Sequence, residues 1–154
     1  MRNFNEADRK KKQKRIQIEE NPGNLSKEQL SNLEDRVRAS LKDGYLSCPV
    51  AWKIADEAKV PRIAVGNITD RLGIRVANCQ VGCFKVDKTI SQDITPEKID
   101  DSIVAAMEKL NESRELTCAK VIELAMRNKL APLDLADIAN LRHWKIRQCQ
   151  LGCF

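Results

Sequence analysis

Apolar residues recur at helical spacing in two stretches of this chain: Leu30, Leu33, Val37 and Leu41, and later Ile99, Ile103, Ala106 and Leu110. Each run predicts one amphipathic helix of about four turns. Ser26-Lys27-Glu28-Gln29 ahead of the first has the form of a capping box. Thr95-Pro96-Glu97 ahead of the second sets a capping hydroxyl before a proline in the first turn. Ser47 and Thr117 mark two further helix starts, directly before CPVAWKIADEA and CAKVIELAMRN. Breaks at Lys59-Val60-Pro61 and at Lys129-Leu130-Ala131-Pro132 precede a third pair of helices, about Arg62 to Leu72 and about Leu133 to Arg142. After them, GIRVA and WKIRQ alternate apolar and charged residues, the pattern of a short half-buried strand.

The elements come in matched sets because the sequence does. Leu46–Phe84 aligns without a gap on Leu116–Phe154, seventy residues later, with ten identities in 39 positions. Cys48, Cys79 and Cys83 map onto Cys118, Cys149 and Cys153, and CQVGCF is written again as CQLGCF. This reads as internal duplication. The expected organisation is a basic tail over 1–24, a first repeat over 25–84, a connector over 85–93 and a second repeat over 94–154. The two repeats would form a pseudo-dimer within one chain, which a homodimer could double again.

Ile54, Ala55, Ala58, Val60, Val65 and Ile68 carry the spacing of a helix-turn-helix: a small residue where helices touch, an apolar turn residue and two apolar anchors. Leu124, Ala125, Asn128, Leu130, Leu135 and Ile138 repeat it, and Lys59 and Lys129 stand where the turn usually has glycine. Three helices followed by a strand and a loop resemble the winged-helix branch of the helix-turn-helix superfamily. VGNITDRLGIRV is similar, more faintly, to the DNA-binding part of molybdate-responsive repressors. The resemblance covers about Leu46 to Ala77 and, more weakly, Leu116 to Arg147, and it omits the Cys phrase. It implies a mostly α fold of two tandem trihelical units, each ending in a short strand and a Cys-x3-Cys loop. It also implies double-stranded DNA as partner, with the second helix of the motif in the major groove. On that helix Arg62, Asn67 and Arg71 are the candidate DNA-binding residues, since arginine and asparagine make bidentate contacts to guanine and adenine. The matching face of the second repeat carries Pro132, Asp134, Asp137 and Asn140, whose two carboxylates repel phosphates. That repeat is the candidate protein-contact surface. Trihelical units also occur in proteins that never touch DNA.

Composition narrows the setting. No apolar stretch reaches the roughly 20 residues of a membrane helix, and the first residues lack the core of a signal peptide, so a cytoplasmic protein is expected. Thiols there stay reduced, and six cysteines read first as metal or redox groups. Cys48 and Cys118 fall at the first helical position, where backbone amides favour a thiolate. Three thiolates per repeat suit an iron–sulfur cluster with a fourth ligand from elsewhere, or zinc with a fourth donor. His143 is the single histidine and completes at most one zinc site. The candidate ligands are therefore Cys48, Cys79, Cys83, Cys118, Cys149 and Cys153. Buried apolar thiols, disulfides, and a purely structural phrase with Phe84 and Phe154 as core plugs are the alternatives.

Net charge is +5, and Arg9–Arg15 alone holds six positive charges, so the rest is near neutral. Such an arm suits nucleic acid or solvent equally. No phosphate-binding glycine loop and no nucleophile elbow is present, so no enzyme is expected. Trp52 and Trp144 read as core residues. The functions left open are a DNA-binding regulator sensing metal or redox state, a metal or iron–sulfur module docking on an enzyme of anaerobic metabolism, and a structural adaptor with unligated cysteines.

Overall fold

The computed structural model describes residues 5–14, 16–83 and 99–154. The protein is mostly helical, with a two-stranded sheet as its regular β structure among these residues. It divides into two compact units: 1–79 with 150–154, and 80–149. No helix among the described residues is long and apolar enough to cross a membrane.

The first unit opens with α1 (Glu6–Gln13), inside the segment whose composition suggested a tail. Asn5 and Asp8 cap this helix reciprocally, and Glu6 and Asp8 in its first turn with Lys10, Lys11 and Lys12 in its last complement the helix dipole. α2 (Lys27–Ala39) begins at the expected capping box: the Gln29 N–H donates to Ser26 Oγ at 3.2 Å, and the Ser26 N–H to Gln29 Oε1 at 2.9 Å. Its stripe buries Leu33 and Val37 against the following helices. β1 (Tyr45–Ser47), unforeseen in the sequence, runs straight into α3 (Cys48–Ala58), which buries Ala51, Ile54 and Ala55. α4 (Arg62–Arg71) follows after a three-residue turn and buries Val65 and Ile68. β2 (Arg75–Ala77) then returns to pair with β1 in parallel, Tyr45 opposite Arg75, Leu46 opposite Val76 and Ser47 opposite Ala77. The strand after the helix pair thus pairs with the strand before it, in place of the antiparallel hairpin of a wing. Burial of each large aliphatic side chain in this core is worth about 1.5–3 kcal/mol.

The turn between α3 and α4 explains how lysine serves for glycine. Lys59 takes φ 55° and ψ 41°, the left-handed region, at a cost of about 1–2 kcal/mol. The Val60 N–H donates to Ala55 O at 3.0 Å and the Lys59 N–H to Asp56 O at 3.2 Å, which satisfies the last carbonyls of α3.

In the second unit, α5 (Asp101–Glu112) buries Ile103 and Met107 and is capped by Asp100, whose Oδ1 accepts from the Ser102 N–H at 2.8 Å. The stripe thus closes on Met107 where the sequence pattern pointed to Ala106. The cap expected at Thr95-Pro96-Glu97, the connector 85–93 and the plug Phe84 lie outside the described residues. α6 (Cys118–Arg127) is capped by Thr117, and α7 (Pro132–Leu141) follows a turn in which Lys129 also has φ 55°. The strand expected at WKIRQ is reduced to one parallel bridge, Thr117 with Arg147.

Left-handed residues recur at the seventy-residue spacing: Gly44 with Arg114, Lys59 with Lys129, Gly73 with His143, Asn78 with Gln148, and Gly82 with Gly152. Gln80–Cys83 belongs to the second unit and Gln150–Phe154 to the first, so each unit ends on the loop written by the other stretch of sequence. Small residues on the second helix of each motif admit these loops. A Cβ on Gly66 of α4 would overlap the Leu151 carbonyl oxygen and stand 2.7 Å from its carbon, so the loop backbone lies directly on the helix. In the second unit, a Cβ on Gly82 would meet Leu133 at 3.2 Å and Ala136 at 3.9 Å on α7. Val81 and Leu151 are the buried apolar residues of the two loops.

Candidate functional site

Two sets of residues carry candidate chemistry: the cysteines, and the outer face of α4. The parallel ladder positions the first cysteines. Cys48 follows β1 directly and Cys79 follows β2 by two residues, so parallel pairing carries both to the same end of the sheet. In the second unit the Cys118 N–H donates to Arg147 O at 2.8 Å, two residues before Cys149, and the Arg147 N–H donates to Leu116 O at 2.9 Å. Cys48, Cys79 and Cys153 share the first unit; Cys83, Cys118 and Cys149 share the second. Sequence order had grouped Cys83 with Cys48 and Cys79, and Cys153 with Cys118 and Cys149.

Cys48, Cys79 and Cys118 are buried, Cys149 and Cys153 half-buried, and Cys83 exposed. Among the described residues, no group of three or more His, Cys, Asp or Glu side chains is arranged to hold a metal ion. His143 is exposed, in a left-handed turn. Three cysteines per unit are donors of the type that suits zinc or an iron–sulfur cluster.

On α4, the side chains of Arg62 and Asn67 are engaged and that of Arg71 is exposed. Arg62 stacks on Trp52, its guanidinium carbon 3.5 Å from the ring centroid, donates to Gln150 Oε1 at 2.7 Å and pairs with Asp56 at 3.5 Å. Trp52 is therefore a half-buried stacking platform, contrary to its reading as core. Asn67 Nδ2 donates to Glu19 O at 3.1 Å. The Arg71 side chain is exposed while its carbonyl accepts from Arg9 Nη2 at 3.2 Å. Asp70, between them, pairs with Lys12. The cover is the basic segment itself, and α1 meets α4 and β2 through Lys12–Asp70 and through Arg75–Asp8 at 3.2 Å. A cleft of about 230 Å³ remains along this seam, with Arg9, Lys12, Ile16, Asn67, Asp70 and Arg71 in its wall. Sequence reasoning missed this arrangement. The signal available was Glu6 and Asp8 ahead of a lysine run, which mark a helix start.

On α7, Asp134 accepts from the Ala131 N–H at 3.1 Å and serves as a capping group. Pro132 and Asp137 are half-buried and Asn140 is exposed. Leu141, at the position matching Arg71, is 62% exposed, and Met126 at the end of α6 is 71% exposed. No protein-family model matches this chain, and no curated protein or solved structure matches it either.

Proposed function

We propose that this protein is a non-enzymatic DNA-binding regulator made of two helix-turn-helix-type units, tandem copies of one ancestral unit, whose cysteines respond to metal or redox state. The observation that carries the reading is the α3–turn–α4 pair, with its left-handed turn residue and the apolar anchors Val65 and Ile68, and its recurrence in α6–turn–α7. The matched left-handed positions support duplication, because non-glycine residues rarely adopt that geometry by chance. Arg71, exposed at the end of α4, is the residue best placed to meet DNA without rearrangement. The cysteines at the ladder end adjoin the start of α3, so a change of ligation or oxidation there acts on the helix that carries the turn into α4.

A second reading is favoured by two observations: Arg62 is held by three neighbours, and the second unit exposes Met126 and Leu141. In it the protein is a metal- or redox-responsive module that docks on a protein partner. Anaerobically purified protein, analysed for metal and by visible absorption, then titrated with duplex DNA at two salt concentrations, separates the readings. A regulator binds duplex with affinity that falls as salt rises, and the affinity changes on chelation or oxidation. Metal without duplex binding selects the docking module. Neither metal nor a redox-dependent response leaves a structural adaptor.

A further inference from the structure

The N-terminal segment lies on α4 in an unusual way for a helix of this protein. α2, α3 and α4 each bury an apolar stripe, whereas α1 buries no residue. Its hold is polar: Lys12 on Asp70, Asp8 on Arg75, Arg9 on the Arg71 carbonyl and, past the helix, the Glu19 carbonyl on Asn67. The apolar help comes from Ile16 and Ile18, both half-buried. The two ion pairs are part-buried and the two bonds to carbonyls are exposed, and with no apolar stripe beneath it the helix rests on a few polar contacts of modest strength each, which places the segment toward the low-stability end of the structure. What it covers is the face that the α3–α4 geometry would present to a groove.

The charge distribution indicates what would lift it. Arg9, Lys10, Lys11 and Lys12 lie in α1 and Lys14 caps its end, and Lys12 is held by a single carboxylate of α4. A duplex offers one phosphate charge per roughly 1.7 Å of axis, a far denser anion than Asp70. We propose that residues 5–14 and 16–20 are a charge-latched cover over α4, and that a nucleic-acid backbone removes it by competing for its lysines, which frees Asn67 and Asp70. The choice of a nucleic-acid backbone as the releasing partner rests on the DNA-binding reading; the latch itself does not.

The Asn67 side-chain amide, bonded to Glu19 O when the cover is shut, is the reporter, read in 15N spectra of the full chain. Lys12→Glu and Asp70→Lys each place like charges together, and each should move the Asn67 signal toward that of an exposed amide. The double variant Lys12→Glu/Asp70→Lys restores an opposite pair at unchanged net charge and should return it. Opening should rise at least about two- to fivefold in each single variant, the scale of an exposed ion pair being the lower bound for this part-buried one. An unmoved Asn67 signal in both singles, or a double variant as open as the singles, overturns the latch. With the wild-type chain, a short DNA duplex at low salt should open the cover, and sodium chloride of matched ionic strength should not. A duplex that binds while Asn67 stays shut overturns the duplex as the releasing partner. So does opening by phosphatidylserine vesicles and not by duplex. Absence of any duplex binding removes the DNA reading of the protein, while the charge-swap series still decides the latch.

Discussion

Gly66→Ala is the sharpest single perturbation available, because one methyl group is aimed at backbone. The added Cβ would overlap the Leu151 carbonyl oxygen and stand 3.1 Å from Leu151 Cα, closer than a side chain can yield to a main chain. The loop at 150–154 must then lift. Lifting exposes Leu151, fully buried here, at about 1.5–3 kcal/mol. It also breaks the Arg62–Gln150 hydrogen bond and the contact of Gly152 with Ile18 and Ile63, for about another 1 kcal/mol. Alanine is the better helix former by about 1 kcal/mol, which offsets part of the loss. The expected net destabilisation is about 2 kcal/mol, read from urea denaturation of the full chain. The control is a chain ending at Cys149. There no loop backbone meets residue 66, and Gly66→Ala should be neutral or stabilising by up to about 1 kcal/mol. A Gly66→Ala chain as stable as wild type, or one equally destabilised in both backgrounds, would refute the packing of the last five residues on α4.

Lys59→Gly and Lys129→Gly should each stabilise by about 1 kcal/mol in the same assay, because both lysines hold left-handed backbone that glycine adopts freely; a loss of stability in either would show that the lysine side chain holds the turn. The Lys120 N–H donates to Thr117 Oγ1 at 3.3 Å, whereas Ser47 makes no such bond at the matching position, so Thr117→Ala should cost about 1 kcal/mol and Ser47→Ala close to nothing. Equal costs, measured by thermal unfolding, would contradict the difference between the two caps. Asp100, through its bond from Ser102, and Glu115, through Lys120, are both held below the usual carboxylate range. Their contribution is therefore present above the ordinary carboxyl pKa of the unfolded chain and is lost as pH falls through the lowered folded values. Asp100→Asn and Glu115→Gln should accordingly destabilise at neutral pH and lose that effect in acid, as chemical denaturation across the acid limb would reveal.

Local signals in the sequence determined the helices with little ambiguity. Ser26 and Gln29 specify a capping box from four consecutive residues, and Pro61 and Pro132 mark the start of α4 and of α7, so α2, α4 and α7 were legible to within a residue or two. The turn between α3 and α4 was legible in place although not in mechanism, because nothing local shows that a lysine will accept a left-handed backbone once hydrogen bonds close around it. β1 escaped notice since three residues carry too short an alternation to read, and its partner lies thirty residues away. The packing of the last loop on α4 could not be read from the sequence. Sequence periodicity is blind to which helix a distant loop packs on; at Gly66 the missing side chain lets the Leu151 backbone lie against α4. The basic segment illustrates the same limit from the other side. Its composition determined that it would be polar and lysine-rich, but only the placement of Asp70 and Arg75 on one face of the first unit turned it from a solvated tail into a helix resting on α4.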